Sequence, residues 1–125
     1  MKRILLAEDE EILRMLIVDT FEGEDYHVDE AQDGLEALKL LQSSRYDLVI
    51  IDYMMPAYSG IEVIEKVRQG GLNKQVDILM LSANSQLSEQ VKAMNAGANY
   101  FMAKPFSPLQ LLEKVRDIVN ETYQI

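Results

Sequence analysis

"LVIIDYMMP", residues 48–56, sets four apolar residues in a row before one acid, Asp52, and closes on Pro56. A continuous apolar run this short fits a strand covered on both faces, as in a parallel sheet between two helix layers. Ending such a strand on a carboxylate needs a reason, because a buried charge without a partner is costly.

Working outward, similar runs recur at Ile4 to Ala7, at a weaker alternating Tyr26 to Ala31, at Val76 to Leu81 and at Ala98 to Ala103, beside Leu48 to Ile51 itself. The segments between them carry apolar residues at helical spacing. Ile12, Leu16, Thr20 and Phe21 mark the first helix, and Leu35, Leu38 and Leu41 the second, which follows the turn pair Asp33-Gly34. Ile61, Ile64 and Val67 mark the third, Leu87, Val91 and Met94 the fourth, and Leu111, Val115 and Ile118 the fifth. Gly97 is placed to end the fourth helix, while Ser107 and Pro108 are placed to cap and open the fifth. Five strands alternating with five helices predict a doubly wound α/β three-layer sandwich, (βα)5, with ligands beyond the carboxyl ends of the strands.

The remaining composition limits the function. At 125 residues the chain reads as one domain spanning 1–125. Its 12 Lys and Arg are scattered against 21 Asp and Glu, and the net charge of −9 disfavours direct contact with nucleic acid or an anionic membrane. There is no cysteine, so thiolate metal sites and disulfides are out, which suits a reducing cytoplasm. "MKRILLAEDE" is too short in apolar residues for a signal peptide, and no run approaches a membrane span. The Asn120-Glu121-Thr122 triplet matters only to a secreted protein. The fifth helix is expected to end near Asn120, leaving "ETYQI", so the protein is expected either to act alone by docking or to be part of a longer regulator.

Polar residues fall where the strands end. Glu8 and Asp9 follow the first strand, Asp52 the third, Ser82 the fourth and Lys104 the fifth. In a parallel sheet these ends share one edge, so three carboxylates, a hydroxyl and an ammonium converge there. Carboxylates so close repel one another unless a cation lies among them. With only oxygen donors on offer, a hard cation is expected, Mg2+ first, with Mn2+ as an alternative. Singly, each residue has a plainer reading: a helix first turn for the acids, a cap for Ser82, a solvated lysine for Lys104. Together they point to a phosphate-and-metal site in which a carboxylate attacks phosphorus and Lys104 and Ser82 contact the phosphoryl oxygens.

These segments resemble the receiver domains of two-component response regulators, of the superfamily that includes the chemotaxis receivers, over essentially the whole chain. "ILLAEDE" resembles the family's acidic-pair segment, "LVIIDYMMP" its phosphoacceptor segment, "ILMLSAN" its fourth strand ending in Ser or Thr, and "GANYFMAKPF" its Lys-Pro segment. The resemblance implies a flavodoxin-like sheet of order 2-1-3-4-5, Asp52 as phosphoacceptor, and Mg2+ held by Glu8, Asp9, Asp52 and the Met54 carbonyl. It implies Ser82 and Lys104 as phosphoryl contacts and a cis Lys104–Pro105 bond. Ser82 and Phe101 would form a switch that shifts the surface of the fourth helix, fifth strand and fifth helix. Met54 and Asn84 occupy positions that tune phosphate lifetime. Implied partners are a sensor histidine kinase or histidine phosphotransfer protein, a downstream target or detached output domain, and a weak homodimer through that same surface.

The chain departs from the family in its acidic pair, Glu8-Asp9 where Asp-Asp is usual, which leaves open whether Glu8 meets the metal directly or through water. Phe101 lacks the hydroxyl of a tyrosine switch, and Tyr100 stands beside it. His27, in the weak second strand, reads as an exposed strand residue rather than a phosphoryl donor. Two rival readings fit these segments less well. A haloacid-dehalogenase-like phosphohydrolase usually needs a second acid two residues after the nucleophile, where this chain has Met54. A flavodoxin-like binding module needs Ser- and Thr-rich loops that are missing here.

Overall fold

The computed structural model describes residues 1–120. Its elements alternate as β1 (Lys2–Ala7), α1 (Glu11–Phe21), β2 (Tyr26–Ala31), α2 (Gly34–Ser43), β3 (Leu48–Asp52), α3 (Gly60–Gln69), β4 (Asp77–Ser82), α4 (Leu87–Ala96), β5 (Tyr100–Ala103) and α5 (Pro108–Val119). Every neighbouring pair of strands is parallel, in the order β2-β1-β3-β4-β5. The direction of winding reverses between β1 and β3, so the crevice expected of this topology opens at their carboxyl ends. The second and third residues of the Asn120-Glu121-Thr122 triplet, and the rest of "ETYQI", lie outside the described residues.

Alternate strand residues feed two cores, because successive side chains leave a strand on opposite faces. Leu5, Val49, Ile51, Ile78 and Met80 pack on the side of α2 and α3; Ile4, Leu6, Ile50 and Leu79 pack against α1 and α5. β3 is buried from end to end, Asp52 included. With each fully buried aliphatic side chain contributing roughly 1.5–3 kcal/mol, the sheet is the rigid platform of the molecule. The strand beneath Asp52 is also fixed by its neighbours. Gly60, at the start of α3, donates its amide to the Tyr53 carbonyl at 2.9 Å, and a β-carbon there would collide with the Asp52 carbonyl oxygen and the Met80 methyl.

Local signals explain most helix ends. Ser107 caps α5 in a reciprocal box with Gln110, Pro108 opens it, and Gly97 ends α4 with φ 124°, a conformation that favours glycine. Ser59 makes a second such box with Glu62 at α3.

Two helices turn a different face inward from the one their apolar residues suggest. In α1 the buried set is Arg14, Ile17 and Phe21, so of the expected stripe only Phe21 is buried, while Ile12 is 75% exposed and Leu16 is also exposed. The rotation follows from Arg14, whose guanidinium is buried because it finds hydrogen-bond partners inside. In α4 only Ala93 is buried, and Leu87, Val91 and Met94 all face outward. A small residue at the contact lets α4 lie close while its larger apolar residues stay in solvent. Leu35 of α2 is exposed too, although Leu38 and Leu41 are buried as expected.

Candidate functional site

The carboxyl ends of β1, β3, β4 and β5 bring the sequence-predicted set together. Glu8 leaves β1 with its amide donated to the Ala31 carbonyl at 3.1 Å, and its side chain is completely buried. Asp52 ends β3 at 5% exposure, and Ser82 ends β4 at 3%. Lys104 follows β5, its amide bound to the Ser82 carbonyl at 2.8 Å, and the Lys104–Pro105 peptide bond is cis.

At the centre stands the Lys104 ammonium. It donates to Glu8 Oε1 at 2.9 Å and lies 3.2 Å from Asp52 Oδ1 and 3.7 Å from Glu10 Oε2. Burial works against its charge, but Glu8 and Asp52 outweigh burial and hold the ammonium above the ordinary lysine range. Asp52 is pushed the opposite way from an ordinary paired carboxylate. Burial and the Glu8 charge, helped by Asp9, raise it to about 7, and Lys104 only partly offsets them. Negative charge here exceeds what one ammonium can neutralise.

A divalent cation among these carboxylates would relieve that excess. Glu8, Asp9 and Asp52 each offer an oxygen, all within 4.8 Å of one another, and no nitrogen or sulfur donor belongs to the group. Such an oxygen-only donor set fits a hard cation such as Mg2+ or Mn2+ better than a softer ion that prefers nitrogen or sulfur. Asp9 is exposed and faces the opening, whereas Glu8 is engaged by Lys104 through Oε1 and by the Glu10 amide at 3.1 Å through Oε2.

The other predicted residues surround this centre. The Ser82 hydroxyl accepts from the Asn84 amide at 3.1 Å, while the Asn84 side chain accepts from the Gln86 amide; Gln86, not Ser82, occupies the N-cap position of α4. Met54 is 70% exposed in the loop after β3, so its side chain does not pack there. Phe101 is half-buried against the core on the α2–α3 side, and Tyr100 points to the other side, under the Lys114 ammonium. His27 stays exposed on β2, 2.9 Å from Asp29.

Sequence reasoning missed three contributors. Glu10 is a third carboxylate at Lys104, and its exposed place at the N-cap of α1 resembles any helix-start acid. Arg14 donates to the Glu8 carbonyl from inside the fold. Tyr53, next to Asp52, hydrogen-bonds through its side chain to Glu89 of α4, tying the acceptor loop to that helix. Only Arg14 left a signal, as a lone cation within an otherwise apolar stretch of α1.

A family model described as the response regulator receiver domain matches residues 4–116. The chain belongs to the response regulator receiver domains. Response regulator MprA of Mycobacterium sp. (strain KMS) is 37% identical over 120 residues, covering 96% of this receiver and 51% of that protein. The receiver thus spans about half the length of the curated relatives it matches. Among solved structures, the chemotaxis response regulator CheY4 of Vibrio cholerae superposes with a TM-score of 0.89 at 31% identity, covering 94% of this receiver and 98% of that chain. The receiver domain of sensor histidine kinase PA1611 from Pseudomonas aeruginosa PAO1 superposes at 0.85 with 26% identity, over 95% and 98% of the chains, and is described with a magnesium ion coordinated in its active-site cleft. The receiver is therefore a signalling module of two-component systems, and its sheet order is the one the family resemblance implied.

Proposed function

We propose that this receiver accepts a phosphoryl group on Asp52 from the phosphohistidine of a sensor histidine kinase or histidine phosphotransfer protein, with Mg2+ as cofactor and Mn2+ able to replace it. The observation that carries this reading is the placement of the Asp52 carboxylate 3.2 Å from a lysine ammonium within a cluster of acids at the end of a rigid strand. A carboxylate oxygen attacks phosphorus, the phosphorus–nitrogen bond breaks, and its electron pair leaves with the imidazole, which takes up a proton. Glu8, Asp9, Asp52 and the Met54 carbonyl would hold Mg2+, which would supply neutralisation of the phosphoryl oxygens. Lys104 moves from Glu8 to a phosphoryl oxygen, and the Ser82 hydroxyl keeps its proton to donate to another. These groups assist the receiver's own phosphorylation and dephosphorylation; no separate substrate is turned over. Met54 and Asn84 line the route of the hydrolytic water.

The signal leaves through α4, β5 and α5. Movement of Ser82 toward the phosphoryl group vacates space behind it, into which Phe101 turns from its half-buried position. α4 responds readily because Ala93 is its only buried side chain and its N-cap lacks a side-chain hydrogen bond. Its exposed Leu87, Val91 and Met94 supply an apolar surface for a downstream target, an output domain or a weak homodimer. The donor reaches Asp52 from the crevice edge; Ile12, Met54, Leu87 and Leu109, on the segments that follow β1, β3, β4 and β5, are all exposed. Its phosphoryl group originates in ATP, so the reaction belongs in the cytoplasm.

Incubation with acetyl phosphate tests the reading. Intact mass should show one added phosphoryl group with Mg2+ or Mn2+, none after chelation, and none in Asp52→Asn. Labelling that persists in Asp52→Asn contradicts the assignment.

A further inference from the structure

Arg14 is the one buried arginine of the described residues, at 7% exposure, and nothing in the proposed transfer uses it. Its Nη1 donates to the Glu8 carbonyl oxygen at 2.7 Å in a buried hydrogen bond, and its Nε donates to Glu30 Oε1 at 3.2 Å. Glu30 lies near the carboxyl end of β2, whose last residue, Ala31, accepts the Glu8 amide at 3.1 Å. Both polar groups of the Glu8 main chain are therefore held: the amide by β2, the carbonyl by Arg14.

That carbonyl belongs to the peptide group between Glu8 and Asp9. Rotation of this group would change where Asp9 points relative to Glu8. The two carboxylates have different surroundings, since Glu8 is fully buried on Lys104 and Asp9 is exposed, yet both offer oxygens to one cluster. We propose that Arg14 is the positioning residue of the acidic pair: by fixing the Glu8 carbonyl it sets the Glu8–Asp9 peptide plane and so the geometry with which the pair meets a divalent cation. This rests on the divalent site proposed above, and the sign of the effect separates it from simple electrostatics. A guanidinium near the site repels Mg2+, so a purely electrostatic Arg14 would tighten binding when removed. A positioning Arg14 loosens it. Lysine can satisfy only one of the two acceptors, because it lacks the rigid fork of donors that reaches both.

The test is calorimetric Mg2+ titration of the full chain as wild type, Arg14→Met and Arg14→Lys, with Phe21→Leu as a control that weakens α1 packing without touching Glu8. We expect about tenfold weaker Mg2+ binding in Arg14→Met, as is typical when a group that orients metal ligands is lost. Arg14→Lys should fall between, and Phe21→Leu should bind as wild type does. In the metal-free proteins, the amide resonance of Asp9 should shift in Arg14→Met and not in Phe21→Leu. Unchanged or tighter Mg2+ binding in a folded Arg14→Met overturns the inference. Should that variant fail to fold, an Arg14→Lys with wild-type affinity overturns it. A wild type that binds no Mg2+ removes the divalent site itself, a distinct outcome.

Discussion

Lys104→Met lowers the rate of phosphoryl transfer from acetyl phosphate by about 10²–10³-fold at saturating Mg2+, the usual cost of removing one preorganised donor from developing charge. Methionine keeps much of the apolar stem and removes the charge, so packing near Pro105 is largely retained. The loss is electrostatic. In wild type a single ammonium sits 2.9 Å from Glu8 and 3.2 Å from Asp52, both almost without access to water. Without it the phosphoryl oxygens lose a cation, and two buried carboxylates face each other, which drives Asp52 further above its value of about 7 in the metal-free protein. Protonated Asp52 is not a nucleophile, so the variant should need a higher pH for the same fractional activity. Lys104→Arg should rescue poorly, since a planar guanidinium cannot occupy the place of a compact ammonium among three acids. Rates by stopped-flow or quenched labelling within twofold of wild type, in a variant whose urea unfolding shows an intact fold, would contradict this role.

Asp52→Asn makes the metal-free protein more stable at pH 8, by an amount on the order of 2 kcal/mol. The sign follows from the raised value of Asp52. Between about 4 and about 7 the folded state keeps a proton on Asp52 that the unfolded chain releases, so wild-type stability falls as pH rises through that window. Asparagine has nothing to titrate, and this part of the decline disappears. Urea midpoints from pH 4 to 8 measure it directly. Mg2+ reverses the comparison, because a ligand bound only by the folded state stabilises by about 2.7 kcal/mol at one hundred times its dissociation constant. Wild type should gain most, having all three carboxylates. Equal pH slopes in the two metal-free proteins would show that Asp52 is not held against ionisation.

Much of this was readable before the structure. Ile4 to Ala7, Leu48 to Ile51 and the run ending at Leu81 announced their strands because both faces are covered, and a residue following such a strand must lie at the crevice edge. That logic placed Glu8, Asp52, Ser82 and Lys104 together from four distant segments. Helix orientation was less legible. α1 and α4 are apolar over more than one face, and the choice was made by contacts no spacing reveals: the hydrogen bonds that draw Arg14 inside and the close approach allowed by Ala93. Partners that meet only through folding, such as Tyr53 with Glu89 or Lys104 with Glu10, carry no local mark.

Reductive trapping asks most directly which atom takes the phosphoryl group. After exposure to acetyl phosphate and Mg2+, borohydride converts an acyl phosphate to an alcohol, and peptide mapping locates it. The account predicts homoserine at position 52 and nowhere else in the chain; reduction at Glu8 or Asp9, with Asp52 intact, would contradict it.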